Sequence, residues 1–215
     1  MHYTVITGGP IPDEAQKDVE GTVFCADGGA DFCRLHGLLP QCVYGDMDSI
    51  SEEGLEFIRS RSISTKVYPC EKDWTDTEIA LGEVPAGADV TLICPIEGRI
   101  DHVIGNIQLA SQMSERLGRI VLSDGITHIY MMTGPDDLLC REIDDACEMA
   151  VSLVPLSFDA QVTGVRTTDL YYRLGGESLT AGKTFSFSNR LASGKSGFEI
   201  SIQSGRLAVI VTKAV

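Results

Sequence analysis

Five aspartates occupy three short acidic segments of a chain of 215 residues. They are Asp46 and Asp48 in YGDMDSI, Asp73 and Asp76 in EKDWTDTEIAL, and Asp101 in EGRIDH. Two carboxylates held about 4 Å apart repel each other by roughly 4 kcal/mol at an effective dielectric near 20, so a cluster needs protons or a cation. Oxygen-only ligands favour Mg²⁺, which usually binds together with substrate phosphates. The segments therefore predict a magnesium and phosphate site; the alternative for any one aspartate is a turn or helix cap.

The spacing within the segments favours convergence of the carboxylates. Asp46 and Asp48 alternate across an extended turn, which directs Met47 away from them. Asp73 and Asp76 are three residues apart and share a face if a helical turn begins there. Thr75 to Glu78 fits a capping box, and Ser49 or Ser51 can cap the helix that follows the first segment.

Two glycine-rich turns add backbone donors to these acids. TGGP (7–10) and ADGGAD (26–31) each follow an apolar run, and the second, with Asp27, Gly28 and Gly29, opens a helix whose N–H groups could hold phosphate oxygens. A tight turn without a ligand is the alternative. Arg99 is predicted to pair with a phosphate, and His102 is either a base or an orienting residue. SGKSG (193–197) is not a P-loop, because the pattern requires glycine at position 189 and that residue is asparagine.

Elements that could position these residues alternate along the first two-thirds of the chain. Apolar runs predict strands at 3–9, 22–29, 64–70, 89–96, 119–125 and 127–134, and amphipathic stretches predict helices at 30–39, 51–61, 76–84 and 101–118. Such alternation indicates a three-layer α/β/α domain with an open, mostly parallel sheet, whose ligands bind at the carboxyl ends of the strands.

A different pattern follows residue 135. Short alternating runs with Gly, Ser and Asn between them, and without a helical stretch, predict a small C-terminal antiparallel β-sandwich. We expect domains at 1–135 and 136–215, with the boundary within TGPDDLLCREID (133–144).

Composition narrows the classes of function. The net charge of −14 disfavours nucleic acid and anionic membrane surfaces as partners. Seven cysteines without a C-x-x-C pair, a start without a signal-peptide pattern and the lack of a long apolar run predict a cytoplasmic protein with reduced thiols.

Five motifs in order resemble the thiamine pyrophosphokinase family. They are the A-D-G-G-A of CADGGADFC, the G-D-x-D-S of YGDMDSI, the K-D-x-T-D-x-E of EKDWTDTEIAL, the G-R-x-D-H of EGRIDHVIGNIQL, and the late S-N of FSFSNRL. The resemblance spans about residues 22 to 210, and the middle three motifs together are highly specific.

The resemblance implies transfer of pyrophosphate from ATP to the hydroxyl of thiamine, with Mg²⁺, giving thiamine diphosphate and AMP. It implies an α/β catalytic domain, a thiamine-binding β-sandwich and a homodimer. Carried over by position, the five aspartates form the metal and triphosphate site. The nucleotide-side residues are Asp27, Gly28, Gly29, Arg99, Asp101 and His102; the thiamine-side residues are Ser188, Asn189 and Tyr172.

One stretch departs from the family pattern. The family often has G-L-K-Y-P-L where this chain has DLYYRL (169–174), so that Asp169 replaces glycine, Tyr171 replaces lysine and Arg173 replaces proline, while Tyr172 keeps the aromatic ring. Two other functions stay open on the residues alone. One is a Mg²⁺-dependent phosphohydrolase or phosphotransferase acting on another small alcohol, and the other is a binding module for a cation.

Overall fold

The computed structural model describes residues 1–141 and 149–213, which divide into two compact units, Met1–Ile126 and Thr127–Val215. In the first unit, short β-branched and apolar runs form parallel strands. They are β1 (His2–Ile6), β2 (Thr22–Ala26), β3 (Cys42–Gly45), β4 (Ser64–Val67), β5 (Asp89–Ile93) and β6 (Ile120–Ser123). Their order is β4-β3-β2-β1-β5-β6, and every neighbouring pair is parallel.

Helices connect these strands and cover both faces of the sheet. They are α1 (Gly29–Leu35), α2 (Glu52–Ser60), α3 (Asp76–Gly82) and α4 (Ile100–Met113), with a 3-10 helix at Asp13–Asp18. α1 packs with α2, and α3 packs with α4. Consecutive side chains of β1, Val5 and Ile6, are both fully buried, which requires a covered sheet face on each side. The predicted open α/β/α sheet is confirmed.

The second unit is antiparallel throughout its described residues. Its strands are β7 (His128–Thr133), β8 (Asp136–Cys140), β9 (Met149–Pro155), β10 (Val162–Thr168), β11 (Gly175–Leu179), β12 (Phe198–Ile202) and β13 (Arg206–Lys213). β13 pairs with β7 and β9, whereas β11, β10, β12 and β8 form a four-stranded sheet in that order.

Alternate side chains of these strands form one apolar core. Phe198, Ile200 and Ile202 of β12 are buried, and so are Val209 and Leu207 of β13. Because side chains two apart share a face, the pattern places the apolar face of each sheet inward. Burial of each such side chain contributes about 1.5–3 kcal/mol. The predicted antiparallel sandwich is confirmed.

Two strands were not predicted from the sequence. β3 has only four residues, CVYG, and its terminal glycine resembles a turn signal. β8 lies within 133–144, where we expected the domain boundary, whereas the two compact units divide between Ile126 and Thr127. Residues 142–144 of that stretch lie outside the described residues. The roles assigned to 1–135 and 136–215 remain predictions.

Among the described residues, no helix combines the length and the apolar character that a membrane crossing would require. The six described cysteines are free thiols, and only Cys70 is exposed. SGKSG, which we excluded as a P-loop, opens no helix.

Candidate active site

The strand order of the first unit locates a ligand crevice. β2, β3 and β4 lie to one side of β1, whereas β5 and β6 lie to the other. The connection therefore reverses direction beside β1, and open α/β sheets bind ligands outside the carboxyl ends of the strands at such a point. The predicted acidic and glycine-rich segments all follow carboxyl ends: those of β1, β2, β3, β4 and β5.

The turn after β3 presents two of the aspartates. Asp46 Oδ1 accepts a hydrogen bond from the Asp48 N–H at 3.3 Å, and Met47 between them has a φ of +68°. Met47 packs against the apolar core of the α1–α2 side, but its left-handed backbone shows that the predicted extended turn is wrong. Ser51 rather than Ser49 caps α2, since its Oγ accepts a hydrogen bond from the Gly54 N–H at 3.0 Å.

Asp27, directly after β2, is the buried acid of the site. It is 7% exposed, and its Oδ2 accepts the Ser49 N–H at 3.3 Å. Burial raises the pKa of Asp27, and the carboxylates of Asp76 and Asp46 raise it further, while the hydrogen bonds from Ser49 oppose the shift.

Asp76 begins α3, and Lys72 precedes it by one helical turn. Thr75 caps this helix, because its Oγ1 accepts the Glu78 N–H at 3.2 Å, as the capping box predicted. Lys72 Nζ lies 3.2 Å from Asp76 Oδ1 and 3.3 Å from Asp46 Oδ2, and it donates to the Pro69 carbonyl at 3.0 Å. Burial opposes the charge on Lys72, yet the hydrogen bonds and charges of Asp76 and Asp46 raise its pKa.

Carboxylates from three loops therefore converge. Ligand oxygens of Asp27, Asp46 and Asp76 lie within 4.8 Å of one another. Gly45 permits this approach: a Cβ at that position would lie 3.0 Å from Asp27 Cβ and 3.0 Å from Asp76 Cγ, and its φ is +143°. Only glycine adopts this backbone geometry without strain.

A second, overlapping group adds a thiol. Asp46, Asp48 and Cys70 also place one ligand atom each within 4.8 Å of the others. A hydrogen bond with Cys70 is the largest cause that lowers the pKa of Asp46, followed by the bond from the Asp48 N–H, and Lys72 lowers it further. The same contact with Asp46 raises the pKa of Cys70.

The donor set fits Mg²⁺. Asp27 Oδ1 is buried without a hydrogen-bond partner among the described residues, and buried Asp76 Oδ1 has the Lys72 ammonium 3.2 Å away. Carboxylate oxygens with unused lone pairs, supplied by separate rigid elements, are the ligands that this hard cation prefers. Asp27, Asp46 and Asp76 could thus hold a divalent cation, with Asp48 beside them.

Lys72, like Cys70, lies among these acids although the sequence analysis did not select it. Its signal was available, since it opens the K-D-x-T-D segment and stands four residues before Asp76. A lysine four residues from an aspartate is common on solvated helices, so spacing alone does not reveal its burial; its side chain is only 10% exposed.

Four predicted residues lie apart from these carboxylate groups. Asp73 is exposed and belongs to neither group. Asp101 and His102 are exposed in the first turn of α4, after β5. Arg99 pairs with Asp101 through Nε at 3.3 Å and through Nη2 at 2.6 Å, which lowers the pKa of Asp101. They follow the carboxyl ends of β4 and β5, and so lie at the same edge of the sheet as the convergent acids.

The glycines after β1 and β2 allow close packing of the loops. A Cβ on Gly29 would lie 2.1 Å from the Ile6 carbonyl oxygen, and one on Gly28 would lie 3.2 Å from the Ser49 carbonyl oxygen. Gly8 faces Gly28, where a Cβ on Gly8 would stand 3.2 Å from the Gly28 Cα. These contacts bring the first glycine turn, Asp27 and the loop after β3 to one place.

In the second unit, the predicted thiamine-side residues form one group. Asn189 is 6% exposed, and its side chain bonds to the backbone of Tyr172 through Oδ1 at 2.9 Å and Nδ2 at 2.7 Å. Ser188 has a φ of +53°, and its N–H donates to Ser152 Oγ at 3.0 Å. The Tyr172 ring is 61% exposed and stands edge-on to Tyr171 at 4.8 Å.

The departure at 169–174 has a structural counterpart. Asp169 has a φ of +63°, the left-handed conformation that a glycine adopts freely and that aspartate tolerates better than most residues. Its carboxylate pairs with Lys195 at 3.0 Å. Asp169 thus holds a conformation that a glycine would adopt more freely.

Comparison with known proteins identifies the family. The catalytic domain of thiamin pyrophosphokinase matches residues 17–122, and the vitamin B1 binding domain of the same family matches residues 141–207. A thiamine pyrophosphokinase of Bacillus subtilis (strain 168) is 31% identical over 200 residues, which cover 90% of this chain and 91% of that protein.

Solved structures show the same relationship. A thiamine pyrophosphokinase structure from Bacillus subtilis superposes with a TM-score of 0.83 at 27% identity, covering 100% of both chains. One from Geobacillus thermodenitrificans gives a TM-score of 0.79 at 26% identity, covering 100% of this chain and 98% of that chain. The chain therefore belongs to the thiamine pyrophosphokinase family of enzymes.

Proposed function

We propose that this enzyme transfers a pyrophosphoryl group from ATP to the hydroxyl of thiamine, with Mg²⁺, and releases AMP and thiamine diphosphate. The observation that carries the proposal is the convergence of Asp27, Asp46 and Asp76, with the Lys72 ammonium between Asp46 and Asp76. An acid cluster that already holds one ammonium group is suited to a metal that arrives with a polyphosphate.

The aspartates divide into two sets in this proposal. Asp46, Asp48 and Asp76 hold the metal with Asp27, while Asp73 and Asp101 lie at the triphosphate. When bound, Mg²⁺ would neutralise charge on the phosphate oxygens and favour attack at the β-phosphorus. Either Asp73 or Asp101 accepts the proton of the thiamine hydroxyl, since both carboxylates are exposed and could reach a bound substrate.

Basic groups complete the nucleotide side. Lys72 is positioned to exchange a carboxylate for a phosphate oxygen, because its ammonium is flanked by two acids that a metal would neutralise. Arg99 likewise exchanges the Asp101 carboxylate for a phosphate oxygen, because its guanidinium can donate two hydrogen bonds to either group. Gly28, Gly29 and His102 border this crevice.

The charge of the protein is consistent with the pair of substrates. A net charge of −14 attracts the cationic thiazolium of thiamine and repels ATP unless a metal accompanies it. Ser188, Asn189 and Tyr172 of the second unit form the thiamine side. The enzyme is proposed to be cytoplasmic and homodimeric, and the exposed rings of Tyr171 and Tyr172 are apolar surface that a second copy could cover.

The test is a coupled assay for AMP with ATP, Mg²⁺ and thiamine. We expect AMP and thiamine diphosphate in equal amounts, strict dependence on thiamine, and loss of activity with EDTA. Asp46→Asn removes one charge from both carboxylate groups and should lower turnover by at least a hundredfold. The matched control is Asp13→Asn, whose carboxylate is 92% exposed and outside the site, and which should retain full activity.

Other products would identify the alternative. Release of ADP or free phosphate with a different small alcohol would indicate a phosphotransferase or phosphohydrolase. An Asp46→Asn variant as active as Asp13→Asn would remove the acid cluster from the chemistry.

A further inference from the structure

Asn189 is buried, and its polar atoms contact protein backbone. Its Oδ1 accepts the N–H of Tyr172 at 2.9 Å and the N–H of Arg190 at 2.9 Å, and its Nδ2 donates to the Tyr172 carbonyl at 2.7 Å. At 6% exposure it offers little surface to a ligand. The carboxamide therefore pairs with both the N–H and the carbonyl of Tyr172, as the backbone of a neighbouring strand would.

The bonds of Asn189 close a longer contact between two loop segments, 169–172 and 189–192, which we call the tyrosine clasp. The Tyr171 N–H donates to the Arg190 carbonyl at 2.8 Å, and the Ala192 N–H donates to the Asp169 carbonyl at 2.8 Å. A β-bridge joins Leu170 to Leu191, with Leu170 fully buried.

Asn189 is itself fixed to the sandwich. Its N–H and carbonyl exchange hydrogen bonds with Val151 of β9 at 2.9 and 2.8 Å, and Val151 is fully buried. The Asn189 side chain therefore ties the exposed turn at Tyr172 to the buried strand β9.

The rings of Tyr171 and Tyr172 project from this clasp into solvent. Tyr171 is 54% exposed and Tyr172 61% exposed, and they hold each other edge-on at 4.8 Å. The Arg190 guanidinium lies 4.2 Å from the centre of the Tyr171 ring. Because aromatic rings contact a planar or cationic ligand only at defined distances, their usefulness depends on the backbone beneath them.

We propose that Asn189 is a positioning residue: it sets the backbone of Tyr172, and through it the ring that meets thiamine, without touching the substrate itself. The kinetic part of this inference rests on the proposed function, whereas the contact with Tyr172 can be tested in the free protein.

The first experiment measures amide hydrogen exchange in the ligand-free protein, resolved by NMR. In Asn189→Ala the Tyr172 N–H loses its acceptor, and we expect it to exchange about fivefold faster, since one such bond contributes about 1 kcal/mol. The Tyr171 N–H, bound to the Arg190 carbonyl, should stay protected as an internal reference. Asn189→Asp keeps the acceptor oxygens and should leave the Tyr172 N–H protected.

The second experiment measures steady-state kinetics. Asn189→Ala should raise the KM for thiamine about tenfold, with kcat and the KM for ATP within twofold of the unchanged protein. Asn189→Asp, which keeps the acceptor but sets a carboxylate oxygen against the Tyr172 carbonyl, should also raise the KM for thiamine selectively. The matched control is Gln161→Ala, because that amide bonds to Thr180 in the same unit and lies outside the clasp.

A thiamine analogue with hydrogen in place of the pyrimidine amino group separates positioning from direct contact. A positioning role predicts the same fold rise in KM for the analogue as for thiamine when Asn189 becomes Ala. If the mutation has no effect on the analogue, Asn189 touches that amino group and the proposal is wrong.

Four further outcomes decide the matter. Unchanged exchange at Tyr172 in Asn189→Ala overturns the proposal, as does an equal loss in every kinetic constant, which indicates general structural damage. If Asn189→Ala does not fold, Asn189→Asp must still show the selective rise in the KM for thiamine, and its absence overturns the proposal. If the unchanged protein forms no AMP, the proposed function fails, and the exchange result alone decides whether Asn189 holds Tyr172.

Discussion

Gly45 is the position at which the smallest chemical change should most disturb the acid cluster. A Cβ there would lie 3.0 Å from Asp27 Cβ and 3.0 Å from Asp76 Cγ, closer than an ordinary van der Waals contact of 3.4–4 Å. Its φ of +143° is also strained for any residue with a Cβ. Strain of this kind costs about 1–3 kcal/mol, and the two contacts add to it, so Gly45→Ala should destabilise the protein by about 2–4 kcal/mol.

The same substitution should weaken metal binding, because Asp27 and Asp76 must move by a few tenths of an ångström to admit the methyl group. Urea unfolding with and without Mg²⁺ measures both effects. A bound ion stabilises the folded state by RT ln(1 + [Mg²⁺]/Kd), so a tenfold weaker affinity removes about 1.4 kcal/mol of that gain at saturating metal. We expect Gly45→Ala to show a lower midpoint and a smaller magnesium-dependent shift.

Gly105→Ala is the matched control. Gly105 lies within α4, and a Cβ there meets nothing within 4 Å, so alanine should stabilise the protein by about 0.5–1 kcal/mol. Its magnesium-dependent shift should equal that of the unchanged protein. Equal midpoints and equal magnesium shifts in Gly45→Ala and the unchanged protein would refute the view that Gly45 sets the spacing of the carboxylates.

Three other substitutions test separate parts of the fold and site. Ser51→Ala removes the cap of α2 and should lower the free energy of unfolding by about 1 kcal/mol in urea titrations; no change would mean that the Gly54 N–H finds another acceptor. Lys72→Met leaves Asp46 and Asp76 without their ammonium, so Mg²⁺ should stabilise this variant more than the unchanged protein, and an equal shift would contradict that role. Phe198→Ala, at a side chain 1% exposed, should cost about 3–5 kcal/mol; a loss below 1 kcal/mol would contradict its place in the core of the sandwich.

Several features of the site followed from local sequence rules. The cap at Thr75 depends only on residues within one helical turn, so the pattern of four residues was sufficient to predict it. The fold classes also followed from the sequence. Apolar residues recur with helical spacing between the strands of the first part of the chain, whereas they only alternate in the last part.

Other features required the fold. The burial of Lys72 and the exposure of Asp73 cannot be distinguished by spacing, although the two residues are adjacent. Asp31 is a further example: its carboxylate accepts the Ser51 N–H at 2.8 Å from twenty residues away. Such contacts form between segments that only the sheet order brings together.

The sequence by itself determined which residues carry charge, which turns need glycine, and the motifs of the thiamine pyrophosphokinase family. The tertiary structure alone decided that Asp27 joins Asp46 and Asp76, that Lys72 lies between two of them, and that the amide of Asn189 faces the Tyr172 backbone. The physical reason is range: capping and periodicity act within a few residues, whereas burial and charge pairing depend on neighbours that lie far apart in the chain.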